Sequence, residues 1–185
     1  MEIYLIRHTT PAIERGTCYG FSDLDVAHTF AEEAARIKQL LPAKPLTVYA
    51  SPLQRCSKLA RFLFEDNFTV DHRLKELNFG DWEMQRWDDL GPDALQAWMD
   101  NYVYTRVPGG ESYADLYARS LEIFREITAL QTDVALVTHH GVIRSLLAHA
   151  GNIPLERSFD LRVEYGRIAR LHIKDGKVEV LGMNE

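Results

Sequence analysis

Near the amino terminus, the four apolar residues Ile3-Tyr4-Leu5-Ile6 run without interruption into Arg7 and His8. A strand with one wet face alternates apolar and polar side chains. A strand that does not alternate is buried on both faces, which places it inside a parallel sheet covered by helices. This short run therefore demands further strands, crossover helices on both sides, and a reason for a cation and an imidazole at its carboxyl end.

The rest of the chain supplies the strands and helices. Residues 27–41 place Ala27, Phe30, Ala31, Ala34, Ile37, Leu40 and Leu41 at helical spacing, and Pro42 and Pro45 end the pattern. Residues 46–50 read as a second strand. The spacing predicts a helix after it, with Ser51 as N-cap and Pro52 at the first position. Residues 68–70 read as a short strand. From Gly80 to Gly110 the pattern becomes irregular and aromatic, with Trp82, Trp87, Trp98, Tyr102 and Tyr104 and a short helix over 93–102. Ser112 caps a helix to about Leu130, 134–138 is a buried strand, and 141–150 is a helix behind it. Asp175-Gly176 between two apolar runs is a hairpin turn. The expected fold is α/β: a three-layer sandwich with a mostly parallel central sheet, one antiparallel edge strand and helices on both faces. One domain is expected over 1–185, with a lid or insertion at about 80–110.

Composition narrows the partners. A formal net charge of -6 offers no general attraction to nucleic acid or an anionic membrane, so an anionic ligand must be held by local cations. Cys18 and Cys56 form neither a disulfide framework nor a CxxC pair. No apolar run approaches the ~18 residues of a membrane span, and no basic-then-apolar leader precedes the first strand. The expectation is a cytoplasmic protein with no membrane and no nucleic-acid partner; a homodimer is left open.

Ligands of such sheets sit outside the carboxyl ends of the strands. Three strand ends carry reactive side chains: Arg7-His8, Ser51 with Arg55 one turn further on, and Thr138-His139-His140-Gly141. Two guanidiniums offer forked donors to phosphate oxygens, and imidazole serves as nucleophile or proton carrier near neutrality. A helix starting after Gly141 would turn its free amides toward the same anion. As neighbours on a strand, His139 and His140 should face opposite ways, a poor chelating pair, and no carboxylates accompany them, so no metal and no cofactor is expected. Phosphoryl transfer also needs an acid for the leaving oxygen. Glu76, among Leu74, Leu77 and Phe79, is the candidate, because apolar surroundings favour a protonated carboxyl; Glu83 is its rival.

The segments IYLIRHTTP, VYASPLQRCSKLA, RLKELNFGDWE, PGGES and LVTHHGVIR resemble, in this order, the motifs of the histidine phosphatase superfamily, in the branch that includes cofactor-dependent phosphoglycerate mutase. The resemblance covers residues 1 to about 150. It implies that His8 becomes phosphohistidine, that Arg7 and Arg55 clamp the phosphate, that a cationic His139 stabilises the transferring group, and that Glu76 acts as acid and then base. Three positions depart from the pattern, which has glycine where Thr9, His140 and Phe30 stand. Thr9 offers a backbone amide and a hydroxyl to substrate, His140 an extra imidazole. RHTTP followed by CYGFSDLDV is most similar to the α-ribazole phosphatases of that family. This implies metal-independent hydrolysis of a small phosphomonoester, α-ribazole 5′-phosphate, with Tyr19, Ser22 and the aromatics of 80–110 against the aromatic part of the substrate. A broad or phosphosugar/phosphoserine phosphatase, a phosphoglycerate mutase and a non-catalytic phospho-ligand binder are the alternatives. No GxGxxG or GxxxxGK[ST] loop follows a strand, which argues against a nucleotide-cofactor enzyme.

Overall fold

The computed structural model describes residues 1–185. Six strands form one sheet: β1 (Glu2–Arg7), β2 (Thr47–Ala50), β3 (Thr69–Val70), β4 (Val134–Thr138), β5 (Ile168–Lys174) and β6 (Lys177–Gly182), in the order β3-β2-β4-β1-β5-β6. The first four in that order run parallel; β5 pairs antiparallel with β1, and β6 antiparallel with β5. The helices are α1 (Phe30–Leu40), α2 (Gln54–Phe64), α3 (Pro92–Asp100), α4 (Tyr113–Ala129) and α5 (His140–Ala150).

Side-chain parity divides the core in two. Ile3 and Leu5 of β1 and Val134 and Leu136 of β4 face α4 and α5, joining Leu116, Ile123, Phe124 and Ile143. Tyr4, Ile6, Ala135 and Val137 point to the other face, against Ala34 and Ile37 of α1 and Leu59 and Leu63 of α2. The period of two in a strand makes this split automatic, and it explains why β1 reads as continuously apolar. Each fully buried Leu or Ile contributes roughly 1.5–3 kcal/mol relative to exposure.

The ends of the elements follow local chemistry. α4 opens with a capping box in which the Ser112 and Asp115 side chains bond each other's backbone amides. The hairpin turn has Asp175 and Gly176 both at positive φ, 50° and 74°, as a type I′ turn requires. Two helices start later than the sequence predicts. α1 begins at Phe30, three residues after Ala27, and α2 begins at Gln54 rather than after Ser51. At α2 the exposed Asp23 carboxylate accepts the Gln54 amide at 2.6 Å and its carbonyl accepts the Gln54 side chain at 2.9 Å. The Ser51 hydroxyl accepts only the Leu53 amide, at 3.4 Å, and reaches into the site as well. The segment from Gly80 to Gly110 contributes Trp82, Trp98, Val103 and Val107 to the larger core, through short 3₁₀ turns and α3. No helix is long and apolar enough to cross a membrane.

Candidate active site

The parallel register of the central strands assembles the site. Arg7 of β1 lies opposite Thr138 of β4, and Ala50 of β2 opposite Val137. The first residues beyond the strands are then tied together: the His8 amide donates to the Thr138 carbonyl at 3.0 Å and the Ser51 amide to the Val137 carbonyl at 2.9 Å. His8, Ser51 and His139 therefore emerge side by side on one rim.

The imidazoles of His8 and His139 meet edge to face with centroids 5.1 Å apart. His8 is buried, and its Nδ1 lies 2.7 Å from the Thr9 carbonyl. A carbonyl only accepts, so Nδ1 carries the proton and Nε2 the lone pair. Burial, then the charges of Arg55 and Arg7, hold the His8 pKa well below the usual imidazole range. This leaves His8 neutral with its lone pair on Nε2, the form in which an imidazole can attack an electrophile.

His139 differs from its expectation in two ways. It is not on a strand opposite His140: β4 stops at Thr138, His139 is the N-cap of α5 and His140 its first helical residue. Nor is it cationic here, because burial, Arg55 and His8 push its pKa well down. Its Nε2 lies 2.8 Å from the Ser51 hydroxyl, which also accepts the Leu53 amide at 3.4 Å just ahead of α2. A phosphoryl dianion beside this ring would favour its protonation again.

The arginines take unequal positions. Arg7 follows the parity of Ile3 and Leu5 to the α5 face, donates to the Val163 carbonyl at 2.6 Å, and lies over Tyr165, its Cζ 3.6 Å from the ring centroid. Arg55 is fully buried and does not line the cavity described below. Both its terminal nitrogens are engaged, by the carbonyls of Ser22 at 2.7 Å and Gly20 at 2.6 Å. The Nε of each arginine is buried without a partner in the protein. Buried charged donors of this kind are costly unless an acceptor completes them.

Glu76 and Glu83 are separated cleanly. The Glu76 carboxylate accepts the Leu77 amide at 3.0 Å and the Gly141 amide at 3.1 Å, and it lines the same cavity as His8. Its setting is thus main-chain amides at the start of α5 rather than a purely apolar pocket, and one α5 amide expected to face an anion is taken by this carboxylate. Glu83 instead accepts the amides of Gly20, Phe21, Ser22 and Phe79 together with the Ser22 hydroxyl. It organises the loop whose carbonyls hold Arg55, and Ser22 is spent there rather than in the cavity. Those hydrogen bonds outweigh burial and lower its pKa.

The cavity has a volume of about 740 Å³. One end holds Arg7, His8 and Glu76; the other is walled by Phe79, Trp87, Trp98, Tyr102 and Phe159. Tyr19 lines it and meets Tyr165, hydroxyl to hydroxyl, at 2.5 Å. Thr9 is buried with an unpartnered hydroxyl and is not among the residues that line the cavity. His140 does line it, with burial, Arg7 and Arg144 lowering its pKa to about 2.

Among the lining residues that escape the sequence reading, Arg144 and Tyr165 stand nearest the histidines. Arg144 stands four residues after His140, a spacing that puts both on one helix face and would have found it. Tyr165 stacks on Arg7 and lies 5.5 Å from the His8 ring, yet it comes from an irregular loop whose only signal is the positive-φ Gly166 beside it.

The family described as histidine phosphatase superfamily (branch 1) matches residues 3–185. An adenosylcobalamin/alpha-ribazole phosphatase of Salmonella typhimurium is 27% identical over 186 residues, covering 95% of this chain and 92% of that protein. A glucosyl-3-phosphoglycerate phosphatase of Mycobacterium tuberculosis is 31% identical over 172 residues, with 83% and 77% covered. Among solved structures, the alpha-ribazole phosphatase from Shigella flexneri superposes with a TM-score of 0.91 at 25% identity, covering 100% of this chain and 96% of that one.

Proposed function

The chain belongs to the histidine phosphatase superfamily (branch 1), and on that footing we propose that it hydrolyses small phosphomonoesters through a phosphohistidine on His8, with α-ribazole 5′-phosphate as its substrate. The observation that carries the reaction is a neutral His8, its lone pair on Nε2, coupled to two arginines whose buried Nε groups lack acceptors. A phosphate dianion in the cavity meets the charge of Arg7, which lines it, and that of Arg55, buried behind it.

In this mechanism Nε2 of His8 attacks phosphorus as the bond to the substrate oxygen breaks, and protonated Glu76 gives its proton to that oxygen. Glu76, now a carboxylate, takes a proton from water. The hydroxide attacks phosphorus, the P–N bond breaks, and phosphate leaves with His8 neutral again. Arg7 lies along the cavity, while Arg55 acts from behind it, by its charge. His139 takes up positive character as the dianion arrives. This electrostatic stabilisation is the dominant contribution expected in phosphoryl transfer.

The choice of substrate rests on the aromatic end of the cavity. Phe79, Trp87, Trp98, Tyr102 and Phe159 suit a flat aromatic leaving group such as a nucleoside-like base, and they offer little to the hydroxyls of a sugar. The Salmonella and Shigella relatives carry the same activity in their names. The buried thiols Cys18 and Cys56 suit a reducing cytoplasm.

A panel of α-ribazole 5′-phosphate, glucosyl-3-phosphoglycerate, 3-phosphoglycerate and phosphoserine, assayed in EDTA, tests the reading. We expect free phosphate as product, no loss of rate with the chelator, no turnover by His8→Ala, and a kcat/KM for α-ribazole 5′-phosphate about tenfold or more above the others. A flat profile would remove the substrate assignment. An isomerised phosphoester as product would make the protein a mutase.

A further inference from the structure

Arg7, His140, Arg144 and Tyr165 form a partition. One side of it lines the catalytic cavity; the other lines a second hollow of about 540 Å³ with a different character. Where the first is walled by aromatics, the second gathers five guanidiniums, from Arg7, Arg36, Arg144, Arg162 and Arg167. They arrive from the end of β1, from α1, from α5 and from the loop leading into β5, so their convergence is a product of the fold and not of one basic stretch.

None of the five is in an ion pair, although most arginines elsewhere in the chain are. Only two carboxylates share the hollow. Glu33 is buried and already accepts the Thr10 amide at 2.9 Å and the Thr29 hydroxyl at 2.5 Å, while Glu164 is exposed. In a chain of net charge -6 such a concentration of uncompensated cations is out of proportion to the whole. Five like charges close together repel, and an anion among them relieves that repulsion. The hollow's few apolar contacts exclude a base or ring as its occupant, and forked guanidiniums fit a tetrahedral oxyanion.

We propose that this hollow is a second oxyanion site, separate from the phosphoryl centre, which takes inorganic phosphate or another small tetrahedral dianion. Because Arg7 serves both sides of the partition, an anion here competes for its charge with the phosphoryl group of a substrate. Occupancy therefore weakens substrate binding and raises KM with phosphate concentration beyond simple competition at the catalytic centre. That coupling rests on the phosphatase reading; the binding does not.

Calorimetric titration of the full chain with inorganic phosphate at low ionic strength decides the matter. Wild-type protein should take up two phosphates, and the exposed double substitution Arg36→Ala/Arg162→Ala should lose one or weaken it at least about tenfold, the worth of a charge-assisted hydrogen bond. Glu164→Gln, which removes a rim carboxylate without touching the arginines, should tighten the same site severalfold. Sulfate should displace phosphate from it, since the proposal is for a tetrahedral dianion. One phosphate per wild-type chain, two equally tight phosphates in the double variant, no gain in Glu164→Gln, or indifference to sulfate would each overturn the proposal. If hydrolysis is absent but the arginine-dependent phosphate remains, the phosphatase reading falls and the second site stands.

Discussion

The three histidines at the site make a pH-dependent contribution whose sign is set by burial. His8, His139 and His140 all have folded-state pKa values below the ordinary imidazole value near 6.5, chiefly through desolvation. Below pH 6.5 the unfolded chain binds protons that the folded chain does not, so stability is complete above 6.5 and declines as the solution is acidified. Between pH 6.5 and 5.5 each histidine should cost about 1 kcal/mol, and urea midpoints in phosphate-free buffer should fall accordingly. His140→Asn should lose about a third less over that interval, and an unchanged slope would show that His140 is not held neutral. The two glutamates separate by a different pair of measurements. Glu76→Gln should leave stability nearly intact while lowering kcat by about 10²–10⁴, as loss of a general acid does. Glu83→Ala strips acceptors from the amides of Gly20, Phe21, Ser22 and Phe79 and should cost about 2 kcal/mol or more in stability, with activity following the fold. If Glu83→Gln rather than Glu76→Gln stopped turnover in a fully folded enzyme, the assignment of the acid would be reversed.

At the scale of the element, what the sequence reveals and what it hides follow from the range of the forces involved. β1, β4, α4 and the hairpin are legible because their signals are local: unbroken apolar runs, a Ser-x-x-Asp capping box and an Asp-Gly turn. The start of α2 is not legible, since Ser51 has the chemistry of an N-cap but its hydroxyl meets only the Leu53 amide, short of the helix, and is shared with His139, 88 residues away. The same distance problem hides the true place of His139, where the helix takes over from the strand one residue earlier than the apolar pattern suggests. The start of α5 also carries a prediction. A Cβ on Gly141 would come within 2.3 Å of Glu76 Oε1 and 3.1 Å of Leu116, so only glycine lets the carboxylate reach the helix amide. Gly141→Ala gains up to about 1 kcal/mol of helix propensity against that clash, leaving stability little changed. Displacing Glu76 should nevertheless lower kcat about 10²-fold, the usual cost of a catalytic group misplaced by an ångström. A Gly141→Ala enzyme with normal kcat would mean that the position of Glu76 does not matter to the reaction.

Across the whole molecule, the reacting residues around His8 are readable one by one from the sequence, whereas the aromatics of 80–110 are expected against a substrate only as a group, and Phe159 not at all. Arg7, His8 and Glu76 stand out because few bland roles explain their chemistry at strand ends. Phe79, Trp87, Trp98 and Phe159 look like any core aromatics, and several of them do pack on one another: Trp87 stacks on Trp98 with ring centroids 6.2 Å apart. Only the folded chain shows that this cluster, drawn from three separate stretches, leaves open space facing His8. The division of labour between the two ends gives a sharp expectation for Trp87, which is only partly buried and lines the open side. Trp87→Leu keeps an apolar surface but removes a flat one, and the loss of aromatic stacking is worth about 0.5–1.5 kcal/mol. KM for α-ribazole 5′-phosphate should therefore rise several-fold, up to about tenfold, with kcat nearly unchanged, because the interaction is made equally in the ground and transition states. A phosphoester with a small aliphatic alcohol should be hydrolysed by the variant as well as by the wild type. Equal losses on both substrates would mean that Trp87 supports the fold rather than the leaving group, and the aromatic end of the cavity would cease to argue for a nucleoside-like substrate.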